Sequence, residues 1–169
     1  MYDIYQKDHQ DRWRYALGRS GSRPLIAIGL NPSTANQEKS DPTVAKVEKA
    51  AIQNGFDGFI MLNLYPIRAT DYRTLSRRVD SMAFEKNLRT IEQTVSSIAR
   101  PTIWAAWGAS VEYLDYFEAA RDELFQRLAK YKVTWLRFGE LTTDGHPRHP
   151  SRLSYEWKFH PYAVVRPAQ

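Results

Sequence analysis

Two short segments hold the residues best suited to chemistry: Gly29-Leu30-Asn31-Pro32-Ser33 and His149-Pro150-Ser151-Arg152-Leu153-Ser154. Each joins a backbone-restricting proline to small hydroxyl residues and a polar side chain. The Asn31 amide can hold a water or the polar edge of a ligand without changing protonation state. It also fits an Asx turn that closes a strand. His149 can donate to an anion that develops during a reaction, or stabilise its own loop. Asn63 follows four apolar residues, Phe59-Ile60-Met61-Leu62, so its amide should be half buried and must find partners. Its one acceptor and two donors suit a base edge, and equally a neighbouring loop. Asp41, in Asp41-Pro42-Thr43, reads either as a general base near Asn31 or as the cap of a following helix. Trp107-Gly108 supplies a ring that packs or stacks and a glycine that lets the chain pass close to a ligand.

Other chemistries fit less well. Asp144, His146 and His149 have the residue types of a metal site, but a proline follows each histidine and favours a rigid extended loop. With 4 His and no Cys in the chain, a zinc site is not expected. There is no phosphate-binding P-loop, dinucleotide fingerprint, HExxH motif or GxSxG elbow.

These residues need elements to position them. Trp13, Tyr15 and Leu17 alternate with Arg14 and Ala16, which predicts a short strand entering a Gly18–Gly21 turn. Pro24–Leu30 reads as a buried strand that ends in the first motif. Pro42 in a first helical turn predicts a helix over 42–54, closed by Gly55. Phe59–Leu62 is a second buried strand. Asp80 or Ser81 caps a helix that runs to Ala99, with Phe84, Leu88, Ile91 and Val95 on one face and Pro101 as its stop. Thr102–Ala106 is a third strand, Val111–Lys130 an amphipathic helix, and Val133–Leu136 a fourth strand. A loop then spans Gly139–Pro150, and Ser151 is expected to cap a last short helix.

Strands separated by helices imply right-handed crossovers and a mostly parallel sheet covered on both faces. The expected fold is a single α/β domain, a three-layer αβα sandwich around a mostly parallel four-stranded sheet. Asn31, Asn63, Gly108 and the His149 loop would then leave the C-terminal ends of neighbouring strands, where open α/β sheets place their ligands.

Bulk properties agree with a soluble globule of 169 residues, 43% apolar and 25% charged. The absence of cysteine excludes disulfides and thiolate metal sites and fits a reducing interior. No apolar run approaches the roughly 20 residues needed to span a bilayer, and Met1–Arg14 is too polar for a secretory signal. A cytoplasmic protein without membrane association is expected. The net charge of +5 permits an anionic partner such as nucleic acid. Arg148, Arg152 and Arg166 gather that charge near the second motif.

In order, these segments resemble the uracil-DNA glycosylase superfamily. Its first motif has the form Gly-x-Asn/Asp-Pro, as in Gly29-Leu30-Asn31-Pro32. The form with Asn is similar to the mismatch-specific and thymine-DNA glycosylase branch. Ile60-Met61-Leu62-Asn63 resembles the strand whose Asn reads the flipped base. Trp104-Ala105-Ala106-Trp107-Gly108 also has a counterpart, and His149–Ser154 matches His-Pro-Ser-x-Leu-Ser. More closely, Gly29–Ala35, Asp41–Thr43, Asn63-Leu64, Trp107-Gly108 and Asp144–Pro150 identify the chain as a member of domain of unknown function 1643, which brings no established activity.

The wider resemblance implies hydrolysis of the N-glycosidic bond of a modified or mismatched base turned out of DNA, or of a related nucleotide. Asn31 would position the water, with Asp41 orienting or deprotonating it, and His149 would stabilise charge on the departing base. Asn63 would bond the base edge. Ser33, Arg148, Ser151 and Arg152 would hold phosphates, and Leu153 would fill the gap in the duplex. No metal or organic cofactor is implied, and the oligomeric state is left open.

The chain also departs from the pattern. Uracil-specific enzymes have Asp in place of Asn31 and a bulky Tyr in place of Ser33, so exclusion of 5-substituted pyrimidines is not expected. Residues 36–40 lack the stacking aromatic, which leaves Tyr65, Trp107 or Phe56 to supply it. Two other readings remain: a binding module that recognises nucleic acid or a nucleotide without cleaving it, and a hydrolase of free nucleosides.

Overall fold

In the computed structural model, which describes residues 1–165, ten regular elements follow one another. They are β1 (Ile4–Lys7), β2 (Arg14–Arg19), β3 (Pro24–Gly29), α1 (Pro42–Gln53), β4 (Gly58–Asn63), α2 (Ser81–Ser96), β5 (Thr102–Ala105), α3 (Asp115–Leu128), β6 (Thr134–Phe138) and β7 (Phe159–Pro161). All strands join one sheet in the order β1-β2-β4-β3-β5-β6-β7. The four apolar runs read as strands form its middle and pair in parallel. At the flanks β2 pairs antiparallel with β4, β1 with β2, and β7 with β6.

The sheet is therefore mixed and seven-stranded, which corrects the expected four. β1 and β7 are short and half exposed, so neither carries the continuous apolar run that marks a central strand.

The alternation along β3 shows why the central strands are apolar throughout. Leu25 and Ala27 face α1, together with Phe59, Met61, Val44 and Val47. Ile26 and Ile28 face α2 and α3, together with Leu62, Leu88, Ile91, Phe117 and Leu124. Helices thus cover both faces, and each fully buried Val, Leu, Ile or Phe adds about 1.5–3 kcal/mol.

Local signals set most boundaries. The Asp41 carboxylate accepts from the Val44 N–H and caps α1, with Pro42 following. Asp80 caps α2 through the Ala83 N–H. The helix expected over Val111–Lys130 is shorter, because Ala109–Glu112 forms a 3₁₀ turn and α3 begins at Asp115. Gly108, at φ +76°, starts that turn directly after β5. The apolar spacing in 111–117 is shared by both pieces and hides the break. Ser151 caps no helix. The cap is His149, whose side chain accepts the Ser151 N–H at the start of a 3₁₀ turn, Pro150–Arg152. Among the described residues no helix is long and apolar enough to cross a membrane.

Candidate functional site

The chain passes from β3 through α1 to β4 on one side, and through α2 to β5 on the other. The loops after β3 and β5 therefore diverge, and open α/β sheets bind ligands at such a switch point. A cleft of 490 Å³ opens there. Asn31, Ser33, Asp41, Asn63 and Trp107 line it from one end of the chain's order, and Arg148, His149, Ser151 and Arg152 from the other. Two distant segments of sequence thus meet around one space.

The first motif is held by its neighbours. Both Asn31 amide hydrogens are used, donated to the carbonyls of Pro32 (3.1 Å) and Ala69 (2.9 Å). That orientation leaves Oδ1 as the group free to accept from a ligand or water. Arg68 donates to the Ser33 and Ala35 carbonyls at 2.7 and 2.8 Å. The Ser33 hydroxyl donates to Thr70 at 3.3 Å.

Asn63 is 1% exposed. Its backbone carbonyl accepts from Asn87 at 2.7 Å, but its Nδ2 is buried without a partner. A Cβ at Gly29 would lie 2.9 Å from Asn63 Oδ1 and 2.7 Å from Met61 Cε. Gly29 is therefore the residue that makes room for this amide.

The second motif is shaped by Gly108, whose added Cβ would lie 2.8 Å from that of His149. His149 Nδ1 accepts from the Ser151 N–H at 3.1 Å, so in the neutral ring the proton sits on Nε2. Burial pulls His149 down to about 4, only partly opposed by Asp41 and reinforced by Lys46. At neutral pH the imidazole is an uncharged Nε2–H donor. Lys46 of α1 donates to the Ser151 carbonyl and ties the segment down. Arg148 donates to the Glu140 carbonyl at 2.9 Å and lies over the Trp157 ring.

Asp41 lines the cleft and is fixed by the backbone. Its two oxygens accept from the backbone N–H groups of Val44 (2.9 Å) and Ala35 (3.1 Å). It thus serves as a helix cap and loop clamp.

Two expected site residues are not brought into the cleft. The Tyr65 hydroxyl accepts from the Asp80 N–H at 2.9 Å, and its ring packs on Tyr116 in the core beside α2 and α3. Leu153 is half buried against the core beside α1 and does not project as a wedge. Phe56 likewise packs there, against Phe159. Arg166 lies outside the described residues. His146 pairs with Glu112 at 2.7 Å, and among the described residues no three metal-ligating side chains come together.

Sequence reasoning missed several cleft residues, among them Arg14, Tyr72 and Trp157. Arg14 had a signal, a charged residue inside an aromatic strand. Tyr72 and Trp157 sit in irregular segments without periodicity, so no pattern marked them.

Fold and site together define an α/β protein with a donor-rich cleft at the switch point of its sheet. The chain belongs to the family described as protein of unknown function DUF1643, whose family model matches residues 14–151. Both ends of that match, Arg14 and Ser151, line the cleft. No curated protein and no solved structure matches the chain.

Proposed function

We propose that the cleft receives a nucleobase and that the protein is a glycosylase-like hydrolase. Its substrate would be a modified or mismatched base in DNA, or a related nucleotide. The observation that carries this reading is the unpartnered Nδ2 of Asn63, buried in the cleft wall. An orphaned buried donor costs about 1–3 kcal/mol, and a carbonyl on a base edge would satisfy it.

The chemistry follows from the neighbours. The bond between the sugar C1′ and the base nitrogen breaks with its electron pair left on the base. His149 Nε2–H, neutral and preset by Ser151, donates to the negative charge that grows there. Asn31 Oδ1 accepts from a water, whose oxygen bonds to C1′ while its proton passes to solvent or to the departing base. Because the sugar centre becomes electron-poor first, the water needs orientation more than a strong base. Arg148 and Arg152 would face phosphates.

The test is incubation with duplexes carrying uracil, mismatched thymine, hypoxanthine or a 5-substituted pyrimidine, scored for abasic sites. Product from at least one, lost in Asn31→Ala and in His149→Ala, is the expected result. No product from any duplex, nucleotide or nucleoside refutes hydrolysis.

A second reading is favoured by Asp41, whose carboxylate is committed to capping α1 and clamping the Ala35 loop. On that reading the same cleft binds a nucleotide or nucleic acid without cleaving it. Salt-sensitive binding without product would select it, and product from nucleosides but not DNA would select a nucleoside hydrolase.

A further inference from the structure

Arg14 is a charge that the fold leaves uncompensated. It lines the cleft at 1% exposure and takes part in none of the ion pairs among the described residues. A guanidinium has five N–H donors. Here Nη1 donates to the Ala35 carbonyl at 3.2 Å, and Nε is buried with no partner. Asp41 attracts Arg14 from a distance, while Arg68 repels it. Burial lowers Arg14 only to about 10, so the group stays charged at neutral pH.

An unpaired buried charge costs several kcal/mol, and a stable fold tolerates one where a ligand removes the cost. The rest of the cleft points the same way. Two of the buried side-chain atoms without partners belong to polar side chains that line the cleft: Arg14 Nε and Asn63 Nδ2. Both are donors. Arg14, Arg148 and Arg152 line the cleft against Asp41 as the sole carboxylate among its lining residues, which leaves two positive charges to be matched.

We infer that Arg14 is a buried anion subsite that takes a phosphate monoester of the ligand, so that the ligand is a nucleotide and not a bare base or nucleoside. The choice of nucleotide over other phosphate esters rests on the base-binding reading above. The planar fork of a guanidinium suits phosphate oxygens, and a monoester dianion matches the two uncompensated charges. A single-stranded oligonucleotide without terminal phosphates offers diesters instead and separates the two phosphate sources.

Calorimetric titrations of the full chain with inorganic phosphate, a nucleoside, its 5′-monophosphate and that oligonucleotide test the subsite. The monophosphate should bind about tenfold to a hundredfold more tightly than the nucleoside, the span of a charge-assisted hydrogen bond. Inorganic phosphate should compete with it. Arg14→Met should abolish the difference, and Arg14→Lys should restore part of it. Equal gain by the oligonucleotide keeps the subsite but assigns it to strand phosphates, which overturns the monoester. Equal affinity of nucleoside and monophosphate overturns the subsite and leaves base binding standing. Phosphate binding without any nucleoside or nucleotide binding keeps the subsite and overturns the base reading. Should Arg14→Met fail to fold, the Arg14 Nε–H resonance of the unaltered protein decides. It must shift on phosphate addition, and an unmoved resonance overturns the inference.

Discussion

Gly108→Ala tests how the second motif is placed. Gly108 sits at φ +76° and ψ 178°, a region essentially reserved for glycine, where another residue costs about 1–3 kcal/mol. The new methyl would also lie 2.8 Å from His149 Cβ, well inside the roughly 3.5–4.0 Å of a good carbon contact. Forcing a methylene into packed surroundings adds about 1–3 kcal/mol. The sum, about 2–6 kcal/mol, lies below the stability of many domains, so the variant is expected to fold, destabilised. Either the clash is borne, or the His149 segment retreats by up to about 1 Å, a displacement that can cost 10²-fold in activity. Urea denaturation and nucleotide titration, run in parallel, read both outcomes. The decisive step is a double-mutant cycle with His149→Gly, which removes the opposing Cβ. Gly108→Ala should then cost only its backbone share, giving a coupling of about 1–3 kcal/mol. Additive effects, or a single variant with unchanged stability and binding, would refute the close approach of Gly108 and His149.

Three further outcomes follow from the site. His149 falls from an ordinary 6.5 to about 4 in the folded chain, so between these values the unfolded state holds more protons and stability rises with pH. The gain is on the order of 3 kcal/mol, complete above pH 6.5 and absent below pH 4, and it should disappear from the pH–stability profile of His149→Gln. Asp41→Ala should lose about 2–4 kcal/mol by combining a lost helix cap with an orphaned Ala35 N–H. Asp41→Asn can keep the cap through its single oxygen but sets its amide nitrogen against the Ala35 N–H, so it should lose about 1–3 kcal/mol and keep most activity. Loss of activity in Asp41→Asn beyond that caused by the stability effect of Asp41→Ala would make Asp41 a base after all. Gly29→Ala pushes on the flexible end of Met61 and on the Asn63 amide, so ligand affinity should fall about tenfold or more while the melting temperature drops by only a few degrees. Unchanged affinity would remove Asn63 from the binding surface.

Much of this arrangement was legible in the sequence because the relevant signals are local. Continuous apolar runs marked β3, β4 and β5, since strands covered on both faces admit no polar alternation, and Trp135-Leu136 marked the half-buried β6. Pro42 after Asp41, and Ser81 after Asp80, marked helix starts through capping. The break between Glu112 and Asp115 was not legible, because one apolar spacing serves the 3₁₀ turn and α3 alike. Nor were β1 and β7, whose pairing depends on distant edges and not on their own composition.

By itself the sequence determined the α/β class, the polar residues at the strand ends, and the expectation that two remote segments meet at one site. Only the tertiary structure decided what those residues are free to do. Backbone donors occupy both oxygens of Asp41, Ser151 presets the His149 tautomer, and the core takes Tyr65 away from the cleft. It also brought in Arg14, whose meaning lies in partners it lacks. A residue's type is written locally, but its spare hydrogen-bonding capacity and charge depend on which distant groups the fold sets against it.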